Sequence, residues 1–153
     1  MSRTDTASRV IHASAQTLYE AHLASEAVAQ WRPPDGMRAE IYRFDARVGG
    51  GYRMALVYAD SAGTRHGKTT DNSDVISGEF LELVPGARIV ERVRFESDST
   101  RFHGAMTLTT SFSETAQGTE VHIVCENVPA GISADDHAAG MASTLANLAA
   151  YVE

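Results

Sequence analysis

Glu91, His137 and Tyr58 are the side chains in this sequence that best suit proton transfer. Glu91 alternates with apolar residues along a predicted strand and should share their inner face. A functional inward carboxylate is one interpretation. The favoured one places Glu91 near the open end of its strand, solvated or paired with an arginine, because inward charges are almost never left unpaired. Catalysis would require these groups to converge in space, which the sequence alone does not show.

His137 lies one helical turn before Met141 on the apolar face of the last predicted helix, so its polar tip could reach a cavity. A structural role at the helix start is the favoured alternative. The other histidines are scattered, without HxH or HExxH spacing. There is no G-x-S-x-G elbow, and the single cysteine, Cys125, lies in a run typical of a strand interior. We therefore predict no catalytic residue, no metal and no cofactor.

Residues 62–69 nearly match the phosphate-loop pattern, with alanine at its first glycine. A phosphate loop needs a helix to start at its lysine and threonine, so that backbone amides point at the anion. The residues that follow, 70–74, favour a turn and a strand instead. We predict a surface loop here and, likewise, a turn or bulge at the triple glycine 49–51.

The composition indicates an ordinary globular chain of 153 residues, 43% hydrophobic and 22% charged, expected to form one domain over residues 1–153. Acidic residues outnumber basic ones by 20 to 13, and no dense basic run is present. Nucleic acid and anionic membranes are therefore not expected partners. No window holds the roughly twenty apolar residues of a membrane span, and the first eight residues include no apolar leader, so a cytoplasmic location is expected.

The hydrophobic pattern predicts an α+β domain. Strands are expected at residues 9–13, 37–44, 52–58, 74–84, 88–96, 102–112 and 119–126. Two short helices follow the first strand, one capped by Ser14 and one beginning at residue 25 and stopped by Pro33 and Pro34. The last helix begins after Ser133, and its apolar positions 141, 145, 148 and 152 form one face. A bent antiparallel sheet must bury one side on this helix.

Four features of the predicted order of strands and helices resemble those of a known family. They are the exit at Trp31, Pro34 and Gly36, the turn at residues 48–50, the stretch 78–85 with Glu82 and Leu83, and the ending at residues 147–151. From about residue 9 to residue 152 the chain resembles the START-like helix-grip superfamily, also called SRPBCC. Within it, the chain is similar to the branch named for homologues of the activator of heat-shock-protein ATPase.

The resemblance implies a helix-grip fold, in which a curved antiparallel sheet wraps around a long C-terminal helix. It also implies a deep cavity between them, used across the superfamily for lipids, sterols, polyketides and other apolar ligands. Some members perform cyclase, hydrolase or dehydratase chemistry there, and the fold does not settle which role applies.

Two departures from the family pattern bear on function. Many relatives have tryptophan after the glycine of the last helix, whereas Gly140 is followed here by Met141, which predicts a wider or differently shaped pocket. The eukaryotic activator also has a separate chaperone-binding domain for which this chain has no room. A co-chaperone role is therefore not expected.

We expect a protein, more likely not an enzyme, that binds a small apolar molecule between sheet and helix. The predicted ligand-binding residues are Trp31, Tyr52, Met54, Leu56, Val93, Phe95, Met106, Leu108, His137, Met141 and Leu145. One alternative is a cyclase, hydrolase or dehydratase in the same cavity, and another is a protein-interaction or stress-response module with a filled core. The protein is expected to be a monomer or a homodimer, since the pattern demands neither.

Overall fold

The computed structural model describes residues 3–34, 36–58, 73–97 and 99–153. In chain order the elements are β1 Asp5–Ile11, α1 Ala15–Ala21, α2 Ser25–Trp31, β2 Met37–Phe44, β3 Gly51–Tyr58, β4 Ser73–Val84, β5 Arg88–Glu96, a 3-10 turn Thr100–Phe102, β6 Ala105–Thr115, β7 Gly118–Glu126 and α3 Ala134–Val152. The phosphate-loop-like segment 62–69 lies outside the described residues. No helix of the described part is long and apolar enough to cross a membrane.

The described strands form one antiparallel sheet of seven, in the order β1-β7-β6-β5-β4-β3-β2. The sheet curls, and its inner face packs against α3, whose residues Met141, Leu145 and Leu148 are buried. The two short helices lie between β1 and β2 in sequence, and α2 contacts both β2 and α3. This is the α+β helix-grip arrangement that the sequence predicts.

The predicted helix caps are present. The Ser14 hydroxyl accepts a hydrogen bond from the Thr17 amide, and the Ser133 hydroxyl accepts one from the Asp136 amide at 3.0 Å. Each bond satisfies an amide that the first turn of a helix leaves without a backbone partner. The Ser133 cap fixes where α3 begins, and thereby which of its residues face the sheet.

The first strand differs from its prediction at residues 9–13. β1 instead pairs with β7 from Asp5, opposite Cys125, to Ile11, opposite Thr119. Four of its seven side chains are exposed, so its first half lacks an apolar alternation that the sequence could reveal. The predicted strand 102–112 likewise begins later, at Ala105, because residues 100–102 form a 3-10 turn.

The end of α2 is tied to α3 by hydrogen bonds that replace helical ones. The prolines at 33 and 34 stop the helix, which leaves the last carbonyl groups without helical donors. Thr144 donates its hydroxyl hydrogen to the Arg32 carbonyl at 3.1 Å, and Asn147 donates to the Pro33 carbonyl at 2.9 Å. Both donors belong to α3, so the chain exit and the last helix are held in one fixed relation.

Gly78 makes room on the inner face for an aromatic side chain. Its backbone lies opposite Tyr52 on the neighbouring strand, and the Tyr52 ring covers it. A Cβ atom at position 78 would lie 2.2 Å from Cζ of Tyr52. The ring therefore occupies the space that any other residue at position 78 would fill.

We expect the substitution Gly78→Ala to lower the free energy of unfolding by about 1–3 kcal/mol, because the added methyl group overlaps a buried ring. Urea denaturation, followed by the fluorescence of the single tryptophan, Trp31, measures this change. Gly140→Ala is the matched control. Nothing lies within 4 Å of its added Cβ, and it should stabilise α3 by about 0.5–1 kcal/mol. A neutral Gly78→Ala would show that the ring is free to move aside.

Candidate ligand-binding site

Three polar side chains meet inside the otherwise apolar grip of sheet and helix. The Tyr52 hydroxyl donates a hydrogen bond to Oε1 of Glu91 at 2.6 Å and accepts one from Nη2 of Arg32 at 2.9 Å. Nη1 of Arg32 lies 3.5 Å from the same Glu91 oxygen. We call Arg32, Tyr52 and Glu91 the inner triad. In it the tyrosine hydroxyl bridges a guanidinium and a carboxyl group.

Different elements supply the three members. Tyr52 lies near the start of β3, and Glu91 lies on β5, where it pairs across the sheet with Phe80 of β4. Because Gly78 lies between them on β4, the tyrosine ring can cross that strand and reach the carboxyl group. Arg32 is the first residue after α2, and its carbonyl is held by α3. The triad therefore links the sheet to both helices.

Burial determines the electrostatics of the triad. Glu91 is 1% exposed, and the side chain of Arg32 is 15% exposed. Burial alone would lower the pKa of Arg32, but Tyr52 and Glu91 raise it above its usual value, so the guanidinium stays charged. Burial raises the pKa of Tyr52, which Arg32 opposes and Glu91 reinforces. Tyr52 thus remains a hydrogen-bond donor at neutral pH.

His22 lies close to the triad and is buried. Its ring centroid is 4.5 Å from that of Trp31 and 5.4 Å from that of Phe112. Its Nδ1 is 2.7 Å from the Leu18 carbonyl oxygen, and Nδ1 must carry the hydrogen because a carbonyl only accepts. Burial lowers the pKa of His22 to about 4, with a smaller contribution from Arg32, and is opposed by the Leu18 carbonyl and by Glu91. The imidazole is neutral at neutral pH.

The predicted ligand-binding residues fall into two groups. Seven are buried in one apolar cluster, and three pack against it half-buried. The buried ones are Trp31, Tyr52, Met54, Val93, Met106, Met141 and Leu145, and the half-buried ones are Leu56, Phe95 and Leu108. His137 is separate from them, because its Nδ1 contacts the Asp5 carboxylate at 2.7 Å and links α3 to β1.

The apolar cluster is buried. Two surface clefts lined by described residues lie away from it, one of about 420 Å³ between α2 and β2 and one of about 300 Å³ over β4 and β5. Each buried side-chain nitrogen and oxygen of the described residues has a hydrogen-bond partner. Side-chain movement is one source of space for a ligand between sheet and helix. Met54, Met106 and Met141 suit this, since methionine is unbranched and adapts its shape.

The three proton-transfer candidates lie in different parts of the structure. Glu91 does lie on the inner face and is paired with an arginine, but the expectation of a solvated place at an open strand end is wrong, because it is almost wholly buried. His137 is engaged with Asp5, and Tyr58 lies at the opposite end of β3 from Tyr52. The three do not converge.

Sequence reasoning missed Arg32 and His22 as members of the site. Arg32 lies beside the proline exit, and nothing in the sequence pairs it with a carboxylate 59 positions away. His22 does leave a signal, because it continues the buried face of α1 formed by Ala15, Leu18 and Tyr19 at helical spacing. A polar residue on such a face is worth testing as part of a site.

Comparisons with known proteins agree with the fold. Residues 12–153 match the family model described as Activator of Hsp90 ATPase homolog 1-like protein. A solved structure from Chromobacterium violaceum is 32% identical, with a TM-score of 0.84 over 99% of this chain and 98% of that one. A protein from Rhizobium loti is 25% identical, with a TM-score of 0.72, covering 99% and 97% of the two chains. No curated protein matches the sequence.

A likeness in fold alone extends further. The solution structure of an AHSA1-like protein from Aeromonas hydrophila is 15% identical, with a TM-score of 0.73, over 98% of this chain and 92% of that one.

The substitution Tyr52→Phe should lower the free energy of unfolding by about 1.5–3 kcal/mol, the usual loss for a buried hydrogen bond to a charged group. It removes the hydroxyl that bridges Arg32 and Glu91 while keeping the ring. Tyr42→Phe is the matched control, because Tyr42 is 54% exposed, and it should change stability by less than about 0.5 kcal/mol. Equal effects of the two substitutions in urea denaturation would contradict a structural role for the bridge.

His22 predicts a loss of stability in acid. Its folded-state pKa of about 4 lies below the ordinary value of 6.5, so the unfolded chain binds a proton first. The free energy of unfolding should fall as the pH drops from about 6.5 to about 4, by about 3 kcal/mol from this group. His22→Gln should remove that part of the pH dependence, whereas His122→Gln, at an exposed position, should leave it in place. An unchanged slope in His22→Gln would disprove the assignment.

Proposed function

We propose a function on the premise that the chain belongs to the family of Activator of Hsp90 ATPase homolog 1-like proteins, whose model matches residues 12–153. The protein binds a small apolar molecule that carries a neutral hydrogen-bonding group, such as a hydroxyl or a carbonyl. The apolar body lies between the inner face of the sheet and α3, and the polar group faces the inner triad.

The observation that carries this proposal is a charge-compensated triad within an apolar interior. Replacing a buried ion pair by apolar side chains is often neutral or stabilising, so such a pair is not needed to hold a core together. Recognition of a ligand would give the buried ion pair a role, because a small number of polar groups in fixed positions orient a ligand in an apolar pocket.

The charge balance of the triad selects the kind of polar group. The guanidinium of Arg32 already faces Glu91, and the Tyr52 hydroxyl already donates to it. An incoming anion would meet the Glu91 carboxyl group, and an incoming cation would meet Arg32. A neutral group that accepts a hydrogen bond from Arg32 avoids both repulsions.

The surrounding wall supports an apolar ligand body. Met54 lies on β3, Met106 on β6 and Met141 on α3, so flexible side chains approach the interior from both sides of the grip. The Sδ atom of Met141 lies 4.0 Å from Sγ of Cys125, which completes a soft wall near β7. The superfamily that the sequence resembles uses this part of the fold for apolar ligands, in agreement with the proposal.

A second candidate is proton-transfer chemistry on the same ligand. It is favoured by the 2.6 Å hydrogen bond between the Tyr52 hydroxyl and Glu91, which joins a donor to a carboxyl group in a buried site. The raised pKa of Tyr52 keeps its hydroxyl protonated, so Glu91 is the member of this pair that could accept a proton. Turnover that Glu91→Gln abolishes while ligand binding persists would favour this candidate over a carrier.

The first test combines native mass spectrometry with titration. Protein purified without detergent should carry a noncovalent adduct that denaturation removes. In parallel, 1-octanol should alter the fluorescence of buried Trp31 at about tenfold lower concentration than octanoate at pH 8, because only the acid is charged there. Trp31 reports locally, since its ring contacts His22 beside the triad.

Variants of the triad sharpen this test. Tyr52→Phe should reduce the preference for octanol over octanoate without abolishing octanol binding, whereas Tyr42→Phe should match the unaltered protein. No adduct and no saturable response to octanol would contradict the proposal and favour a solid core. A preference for octanoate would show that the triad recognises an anion instead.

A further inference from the structure

The outer face of the sheet gathers arginines that are far apart in the sequence. Arg43 of β2 and Arg92 and Arg94 of β5 line the cleft of about 300 Å³. The rest of its lining is Gly49, Gly50, Ser77, Gly78 and Glu79. Arg92 and Arg94 alternate along β5 with the inward Glu91 and Val93, so this outer cleft opens away from α3.

A bulge in β2 brings Arg43 to this face. Ile41 pairs with Met54 and Arg43 with Arg53, so Tyr42 is an extra residue in the ladder. In a regular strand, position 43 would lie on the same inward side as Ile41, because side chains two residues apart share a face. With the bulge, Tyr42 and Arg43 are both exposed, while Ile41 and Phe44 both pack against the core.

Positive charge in the outer cleft exceeds the local negative charge. Arg92 pairs with Glu79 at 3.0 Å. Arg53, beside the cleft, pairs with Glu96, and the hydrogen bond from Arg53 lowers the pKa of the Glu96 carboxyl group. Within the described part of the chain, Arg43 and Arg94 have no ion pair. Among the described residues, two guanidinium groups of the cleft thus lack an ion pair, in a protein whose net charge is −7.

The glycines leave the floor of the cleft open, but their amides are already used. The Gly49 amide donates to the Phe80 carbonyl at 3.0 Å, and the Gly50 amide donates to the Arg47 carbonyl at 2.8 Å. The Asp45 carboxylate beside Gly50 is paired with Arg47. Recognition in the cleft therefore depends on guanidinium groups, and the backbone supplies space.

We propose that the outer cleft is a binding site for a phosphate monoester dianion, held by Arg43 and Arg94 with Arg92 beside them. A phosphate monoester carries a charge of about −1.5 to −2 at pH 7. This charge matches the two guanidinium groups that lack an ion pair among the described residues. The guanidinium fork suits paired phosphate oxygens. This site is independent of the proposed inner ligand, because the two lie on opposite faces of the sheet.

Isothermal titration with phenyl phosphate at low ionic strength tests the site. Saturable binding is expected, and it should weaken by about fivefold or more in Arg43→Gln and in Arg94→Gln and fade as salt is added. Glu79→Gln should tighten binding, since it removes the carboxylate that competes for Arg92. Arg88→Gln is the matched control, because Arg88 is also exposed on β5 but pairs with Glu82 outside the cleft.

Sedimentation with vesicles containing phosphatidic acid separates the two sources of such a group. Binding of both vesicles and phenyl phosphate, lost together in Arg94→Gln, would assign the site to a lipid headgroup. Binding of phenyl phosphate alone would assign it to a free monoester. The proposal is overturned if phenyl phosphate does not bind saturably, or if Arg43→Gln and Arg94→Gln bind it as tightly as Arg88→Gln does.

Discussion

The structure depends on placing one ion pair inside an apolar interior without leaving either charge alone. Nη1 of Arg32 and Oε1 of Glu91 are 3.5 Å apart, a distance at which a direct hydrogen bond is weak, and the Tyr52 hydroxyl links the two groups with two shorter bonds. Removing one partner of a buried pair usually costs about 3–5 kcal/mol, which exceeds most single contacts in a domain. The elements that carry these residues must therefore be placed accurately.

Several local features follow from that requirement. Gly78 lets the Tyr52 ring cross β4, and the prolines end α2 at the point where Arg32 turns toward the sheet. The α3 donors Thr144 and Asn147 hold that turn by its free carbonyl groups. None of these features adds much apolar burial. Their shared effect is to fix the distance between a helix end and two strands.

The sequence predicted what local rules control. Strand alternation placed Tyr52, Met54 and Met106 inward, and serine caps marked the starts of α1 and α3. The same rules could not find the partner of Glu91, because the contact joins residues 59 positions apart.

The two faces of β5 show that charge counted along the chain does not describe how charge is distributed in the folded sheet. Glu91 points into the grip and Arg92 and Arg94 point out of it, so one strand contributes opposite charges to opposite sides of the sheet. The net charge of −7 and the lack of a basic run argue against nucleic acid and anionic membranes as partners, and strand pairing separately collects guanidinium groups from β2 and β5. The bulge at Tyr42 decides whether Arg43 joins them, because a bulge reverses the alternation beyond it. Which charges meet on this face is therefore determined by register, a property of the folded sheet that composition does not contain.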